Sequence, residues 1–197
     1  MTTKKFAVFC GAGVGYRHRY KQTAHDLGNA LLKANLGLVY GGGHIGVMGE
    51  IAETFLLGKG EIIGVIPDNL AEKENAFQKT INKLHLVKTM SQRKQMIIDI
   101  ADGFIMFPGG VGTLDEFFEA YCLAKLGFHD KPCAILNIDN FYDPIINFLK
   151  KSHKHGFIDK VSHEMLIIEE DPEVLIERML AYTSPITKKK HGNEVIV

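Results

Sequence analysis

Gly103-Phe104-Ile105-Met106-Phe107-Pro108-Gly109-Gly110-Val111-Gly112-Thr113-Leu114-Asp115-Glu116 decides both the fold class and the chemistry of this chain. The first five residues are a short apolar run and read as a buried strand. After Glu116, the spacing of Phe117, Phe118, Ala120, Tyr121 and Leu123 reads as the apolar face of a helix. Glycines between a strand and a helix let the backbone approach an anion closely. The free N–H groups of the first helical turn then point at that anion. The stretch predicts a phosphate site, and so a phosphorylated small molecule.

Two further turns of the same kind lie upstream. Leu36-Gly37-Leu38-Val39-Tyr40 runs into Gly41-Gly42-Gly43, and His44-Ile45-Gly46-Val47-Met48-Gly49 then opens a helix. Phe6-Ala7-Val8-Phe9-Cys10 runs into Gly11-Ala12-Gly13-Val14-Gly15. Strands are expected over 5–10, 36–40, 61–66, 84–88, 102–107 and 132–138, and helices over 18–34, 45–58, 91–101, 113–126, 141–154 and 172–182. Alternation with near-continuous Val/Ile/Leu strands argues for a parallel sheet covered on both faces. The expected class is α/β, a three-layer Rossmann-like domain with a central, mostly parallel sheet. In such sheets ligands bind beyond the carboxyl ends of the strands, where all three glycine turns would lie.

Residues 1–185 read as one nucleotide-binding domain and 186–197 as a solvated tail. Residues 70–83 lack periodicity and read as a surface connection, a loop over the site being the alternative. With 23 basic and 23 acidic residues the formal net charge is +0, so nothing points to nucleic acid or a membrane surface. Cys10, Cys122 and Cys133 show neither metal spacing nor a disulfide framework, and no signal peptide is evident. A cytoplasmic location is expected, with no metal and no resident cofactor.

Thr113-Leu114-Asp115-Glu116 fits a capping box, in which Thr113 caps the helix and Glu116 reaches back to it. The functional alternative places the Glu116 carboxylate beside the phosphate, where it binds sugar hydroxyls or steadies positive charge. Arg93 and Lys94 follow the helix start Thr89-Met90-Ser91. Cations there oppose the helix dipole, which argues for a nearby anion, either a ligand phosphate or Glu116. His44 reads as a polar turn residue rather than a ligand contact. There is no Walker lysine, no G-x-S-x-G elbow and no clean G-x-G-x-x-G, which argues against an NAD enzyme.

Gly41-Gly42-Gly43-x-x-Gly46-Val47-Met48-Gly49, Met90-x-x-Arg93-Lys94 and Pro108-Gly109-Gly110-x-Gly112-Thr113-x-x-Glu116 together resemble the LOG family. Its members are cytokinin riboside 5′-monophosphate phosphoribohydrolases. The resemblance implies a Rossmann-like homodimer that hydrolyses the N-glycosidic bond of AMP or N6-substituted AMP to free base and ribose 5-phosphate. It implies that Arg93 and Glu116 are the catalytic pair. It further implies that Gly109, Gly110, Gly112 and Thr113 hold the 5′-phosphate, and that Gly11, Ala12, Gly42, Gly43, Glu74, Met90, Lys94 and Val111 contact the substrate. One departure stands out. Many members read Cys-Gly-Ser-Ser after the first strand, where this chain has Cys10-Gly11-Ala12-Gly13. A competing reading is a non-catalytic carrier of a phosphorylated, nucleotide-like cofactor, as in molybdenum-cofactor carrier proteins. Lysine decarboxylation with pyridoxal phosphate is poorly supported, because no lysine sits in a recognisable Schiff-base context.

Overall fold

The computed structural model describes residues 3–16, 18–71 and 81–186. Seven strands form one sheet in the order β4-β3-β2-β1-β5-β6-β7, and every neighbouring pair is parallel. They are β1 Lys5–Phe9, β2 Gly37–Tyr40, β3 Ile62–Pro67, β4 Lys83–Val87, β5 Gly103–Met106, β6 Cys133–Leu136 and β7 Leu166–Glu169. The strands from β2 to β6, apart from β4, are buried along their whole length. That is why they read as unbroken apolar runs rather than alternating ones.

The helices are α1 His18–Lys33, α2 Gly46–Leu57, α3 Asp68–Ala71, α4 Met90–Ile100, α5 Val111–Lys125, α6 Asp143–Lys154, α7 Lys160–Glu164 and α8 Pro172–Ala181. Alternate strand residues feed opposite layers. Phe6 and Val8 pack with Leu27, Leu31, Ile51, Phe55 and Leu175 of α1, α2 and α8. Ala7 and Phe9 pack with Ile97, Phe117, Ala120 and Ile146 of α4, α5 and α6. The three layers and the parallel sheet are as expected from the sequence.

The order turns back between β1 and β5. From β1 the chain proceeds through α1 on one face to β2. From β5 it proceeds through α5 on the other face to β6. The two connections diverge and leave a crevice beyond Phe9 and Met106, which are paired in register.

Three elements escape the sequence reading. Strand β7 is a four-residue edge strand, only partly buried, and its Leu-Ile-Ile-Glu is too short to show a period. Helices α7 and α3 are one turn each, and Asp68–Ala71 shortens the expected 70–83 connection at its start. Residues 72–80, with Glu74, and the tail from 187 lie outside the described residues. No helix among the described residues is long and apolar enough to cross a membrane.

Candidate active site

The three glycine turns interlock at the crevice. Gly11 N–H donates to Pro108 O at 3.1 Å, and Val47 N–H to Gly13 O at 3.3 Å. A Cβ on Gly11 would lie 3.3 Å from Gly109 Cα, and one on Gly46 2.2 Å from Ala12 O. Tyr142 fixes the third turn from behind, its hydroxyl donating to Phe107 O at 2.9 Å. Burial raises that phenol's pKa well above the ordinary tyrosine value, against a smaller opposing hydrogen bond from the Gly109 backbone.

Helix α5 starts one turn earlier than a capping box at Thr113 requires. Its N-cap is Gly110, in extended conformation and without a side-chain cap. The first helical bond is Leu114 N–H to Gly110 O at 3.2 Å. The N–H groups of Val111, Gly112 and Thr113 therefore lie ahead of the ladder, at the positive end of a 15-residue helix. Thr113 is the third helical residue and Glu116 the sixth. The capping-box reading is thus corrected: Glu116 lies too far along the helix to reach back to its start, so the cap does not explain it.

Helix α4 aims the partner of Glu116. Thr89 caps it by accepting from Gln92 N–H at 3.2 Å, and Arg93 follows on the face turned towards α5. The Arg93 Nε stands 3.7 Å from Glu116 Oε1, with each side chain only 9% exposed. Arg93 Nη1 contacts Met90 Sδ at 3.8 Å. A Cβ on Gly41 would stand 1.9 Å from Arg93 Nη2, so the guanidinium lies directly on the backbone of the second turn. Among the described residues, Arg93 Nε is buried and has no hydrogen-bond partner. Leaving a buried donor unmet costs about 1–3 kcal/mol, more for a charged one. Such a cost within a crevice marks a group held ready for something else.

Around this pair lies a cavity of about 330 Å³. Gly11, Ala12, Met90, Arg93, Gly110, Gly112, Thr113 and Glu116 of the sequence-derived set line it. Gly109 faces an adjoining recess. A Cβ on Gly110 or Gly112 would meet no heavy atom within 4 Å among the described residues, so the turn is open where an anion would sit. Gly42 and Gly43 do not line the cavity. They are buried behind it, and Gly42, at φ +81°, packs on Leu84 and Ile66. The Val111 side chain points outward at 85% exposure, which leaves only its N–H for a ligand.

Lys94 does not join the cavity either. Its Nζ bonds both Asp115 oxygens at 3.0 Å and Glu119 Oε2 at 2.6 Å. The bonds to Glu119 and then Asp115 hold its pKa above the ordinary lysine value, against partial burial. The anion that its helix position calls for is therefore a pair of α5 carboxylates. His44 is exposed and outside the lining. Cys10, Met48 and Leu70 also line the cavity. Met48 and Cys10 stand within stretches that resemble the family, although neither is singled out as a site residue, whereas no pattern marks Leu70.

Residues 48–179 match the family described as "Possible lysine decarboxylase". The chain is 38% identical over 172 residues to the cytokinin riboside 5′-monophosphate phosphoribohydrolase of Rhodococcoides fascians, covering 87% of each. It is 37% identical over 179 residues to the enzyme of that name, LOG3, of Arabidopsis thaliana, covering 91% of this chain and 83% of that one. Among solved structures it resembles the molybdenum cofactor binding protein of Rippkaea orientalis, with TM-score 0.69 and 20% identity over 92% of this chain and 98% of that one. The molybdenum cofactor carrier protein of Chlamydomonas reinhardtii gives TM-score 0.67 and 17% identity, over 92% and 100%. At those identities the likeness speaks for the fold alone. The sequence relatives carry the assignment: the chain belongs to the LOG-type phosphoribohydrolase family, the one also described as possible lysine decarboxylases.

Proposed function

We propose that this protein hydrolyses the N-glycosidic bond of AMP or N6-substituted AMP, releasing the base and ribose 5-phosphate. The observation that carries the reading is the buried Arg93–Glu116 pair, 3.7 Å apart, beside the uncapped start of α5. The phosphate sits on the N–H groups of Val111, Gly112 and Thr113 and on the Thr113 hydroxyl. Glycosidic cleavage passes through a sugar with oxocarbenium character. The C1′–N9 bond breaks, its electron pair leaves with the purine, and water supplies hydroxide to C1′ and a proton to the base. Glu116 attends the positive charge at C1′ and holds the ribose hydroxyls. Arg93 orients Glu116 and keeps it ionised, since a neighbouring cation favours the carboxylate. The 3.7 Å separation is long for a hydrogen bond and tightens with substrate, as is common in unliganded sites. Binding energy from the remote phosphate positions the sugar.

The working unit in this reading is a homodimer. Met96 and Ile100 of α4 with Leu114, Phe118 and Leu123 of α5 stay only partly buried on one face, which supports it. The three free cysteines among the described residues support a cytoplasmic setting.

The test is to incubate the protein with AMP and with adenosine and to follow adenine and ribose 5-phosphate by chromatography. Adenine release is expected from AMP and not from adenosine. Glu116→Gln is expected to lower turnover by about 10²–10⁴-fold with unchanged circular dichroism. Near-normal turnover in that variant would remove Glu116 from the chemistry, and binding of AMP without cleavage by the wild type would sink the hydrolase reading and favour a carrier.

A further inference from the structure

After β6 the chain bends sharply and delivers one phenol to the back of the glycine crossing. Asp139 and Asn140 both take left-handed backbone angles, φ 51° and 59°. Few non-glycine residues do so, and each costs on the order of 1 kcal/mol. The bend puts Tyr142 at the N-cap position of α6, where its side chain makes no capping bond to that helix. Tyr142 is instead buried in the layer that holds Phe9, Met106 and Phe117.

A buried amide holds it there. Asn137 Oδ1 accepts from Tyr142 N–H at 2.8 Å, and Asn137 Nδ2 donates to Asp143 Oδ1 at 2.9 Å. The Asn137 N–H donates to Glu169 O of β7 at 2.7 Å, so the amide is itself tied to the sheet. From this mount the Tyr142 hydroxyl reaches across to the turn after β5. It donates to Phe107 O at 2.9 Å, and the Gly109 backbone hydrogen-bonds to the same oxygen. One phenol oxygen therefore meets the chain on both sides of Pro108, a residue with no N–H of its own. Pro108 O is taken by Gly11 N–H at 3.1 Å. The next residue but one, Gly110, is the N-cap of α5. Tyr142 lines neither the catalytic cavity nor the recess beside it.

We propose that Tyr142 is a positioning residue for the substrate's phosphate: its hydroxyl fixes the Phe107-Pro108-Gly109 backbone and so aims the first N–H groups of α5 at the anion. It does this without touching the ligand. The inference rests on the phosphate site of the reading above. Without the hydroxyl, Phe107 O and the Gly109 N–H lose a shared partner in a buried place, and the turn shifts to satisfy them otherwise. The amides of Val111, Gly112 and Thr113 then point off the phosphate oxygens.

The experiment measures kcat and KM for AMP, and Kd for ribose 5-phosphate by calorimetry, in the wild type, Tyr142→Phe, Asn137→Ala and the control Tyr121→Phe. Tyr121 is another buried phenol, and its hydroxyl donates to Ser162 O. It lies about 15 Å along α5 from Val111, at 1.5 Å per residue. Both Phe variants should lower Tm by a similar amount, about 2–6 °C. Tyr142→Phe alone of these two is expected to raise KM for AMP and Kd for ribose 5-phosphate together, by about 10–100-fold. Its kcat should stay within about threefold of wild type, because Arg93 and Glu116 are undisturbed. Asn137→Ala keeps the hydroxyl but loosens its mount, so it should move both constants the same way by about 3–10-fold. That variant decides the matter if Tyr142→Phe does not fold. Unchanged KM and Kd in the folded Tyr142 or Asn137 variant, or an equal rise in Tyr121→Phe, would overturn the inference. A wild type that binds no ribose 5-phosphate would overturn it too. Binding is read without turnover, so a wild type that binds ribose 5-phosphate but cleaves no AMP removes the hydrolase reading and leaves the Kd comparison to judge Tyr142.

Discussion

Two glycine turns of near-identical composition, 41–43 and 109–112, do opposite things with the space that a side chain would fill. At Gly110 and Gly112 an added Cβ would stand in open cavity. At Gly41 it would strike the guanidinium of Arg93, and at Gly46, just beyond, the backbone of Ala12. One turn is bare towards open space, which the proposed function gives to a ligand, and the other is filled by the protein's own parts. A glycine-rich strand-to-helix turn is therefore not a phosphate site in itself. Among the described residues the first N–H groups of α5 make no backbone bond, and Gly112 and Thr113 line the cavity, whereas the start of α2 is covered: Val47 N–H is already bonded to Gly13 O.

The sharpest way to break this contrast is Gly41→Ala. The new methyl group meets the far end of a flexible side chain, so the fold should survive while the guanidinium moves off Glu116. A loss of about 10²–10³-fold in kcat/KM is expected, similar to that of Arg93→Ala. The double variant should lose little more than either single one, because both remove the same placement. Additive losses would show that Gly41 acts on something other than Arg93.

Gly46→Ala probes the same turn for stability. Here the obstacle is backbone at 2.2 Å, and the residue sits at φ +64°, so neither neighbour yields cheaply. A destabilisation of about 3 kcal/mol, or roughly 6–12 °C in Tm, is expected by thermal unfolding. An unchanged Tm would mean that the first and second turns are not locked together.

On the other side of the contrast, Gly112→Ala should leave Tm unchanged or raise it slightly, since alanine is the better helix former. Its methyl group intrudes only on the ligand. AMP hydrolysis should fall about 10–100-fold, mainly through KM, because the phosphate is pushed off its donors. A lower Tm with intact KM would reverse the roles given to the two turns.

Most of this arrangement is written locally in the chain. Buried strands between glycine turns give the sheet, and the 108–116 stretch gives the uncapped helix start proposed to hold the phosphate, because both depend on residues adjacent in sequence. What escapes is what depends on distant partners. That Gly42 packs on Leu84 while Gly110 faces empty space is a tertiary fact, invisible in two similar turns. Edge strand β7 has one neighbour and four residues, too few for a period to show. Cys10 and Leu70 reach the cavity only because β1 and α3 end beside it.

Lys94 shows the same limit and supplies the smallest test. The sequence places it one residue after Arg93 and offers the same missing anion to both. The helix separates them: Arg93 turns inward to Glu116, and Lys94 turns to Asp115 and Glu119 on the outer side of α5. Lys94→Met should therefore loosen α4 from α5 by about 0.5–1 kcal/mol, the scale of a partly exposed ion pair. The pH dependence has a definite sign. The folded-state pKa of Lys94 is raised, so the pairing contributes fully below the ordinary value of 10.5 and is lost as pH climbs through the higher folded value. Denaturant unfolding should show a constant gap between wild type and Lys94→Met from pH 6 to about 9, closing only in stronger alkali. Hydrolysis should fall less than about fivefold, because the ammonium never faces the ligand. A loss as large as that of Gly41→Ala would put Lys94 in the site and erase the division of labour between neighbouring cations.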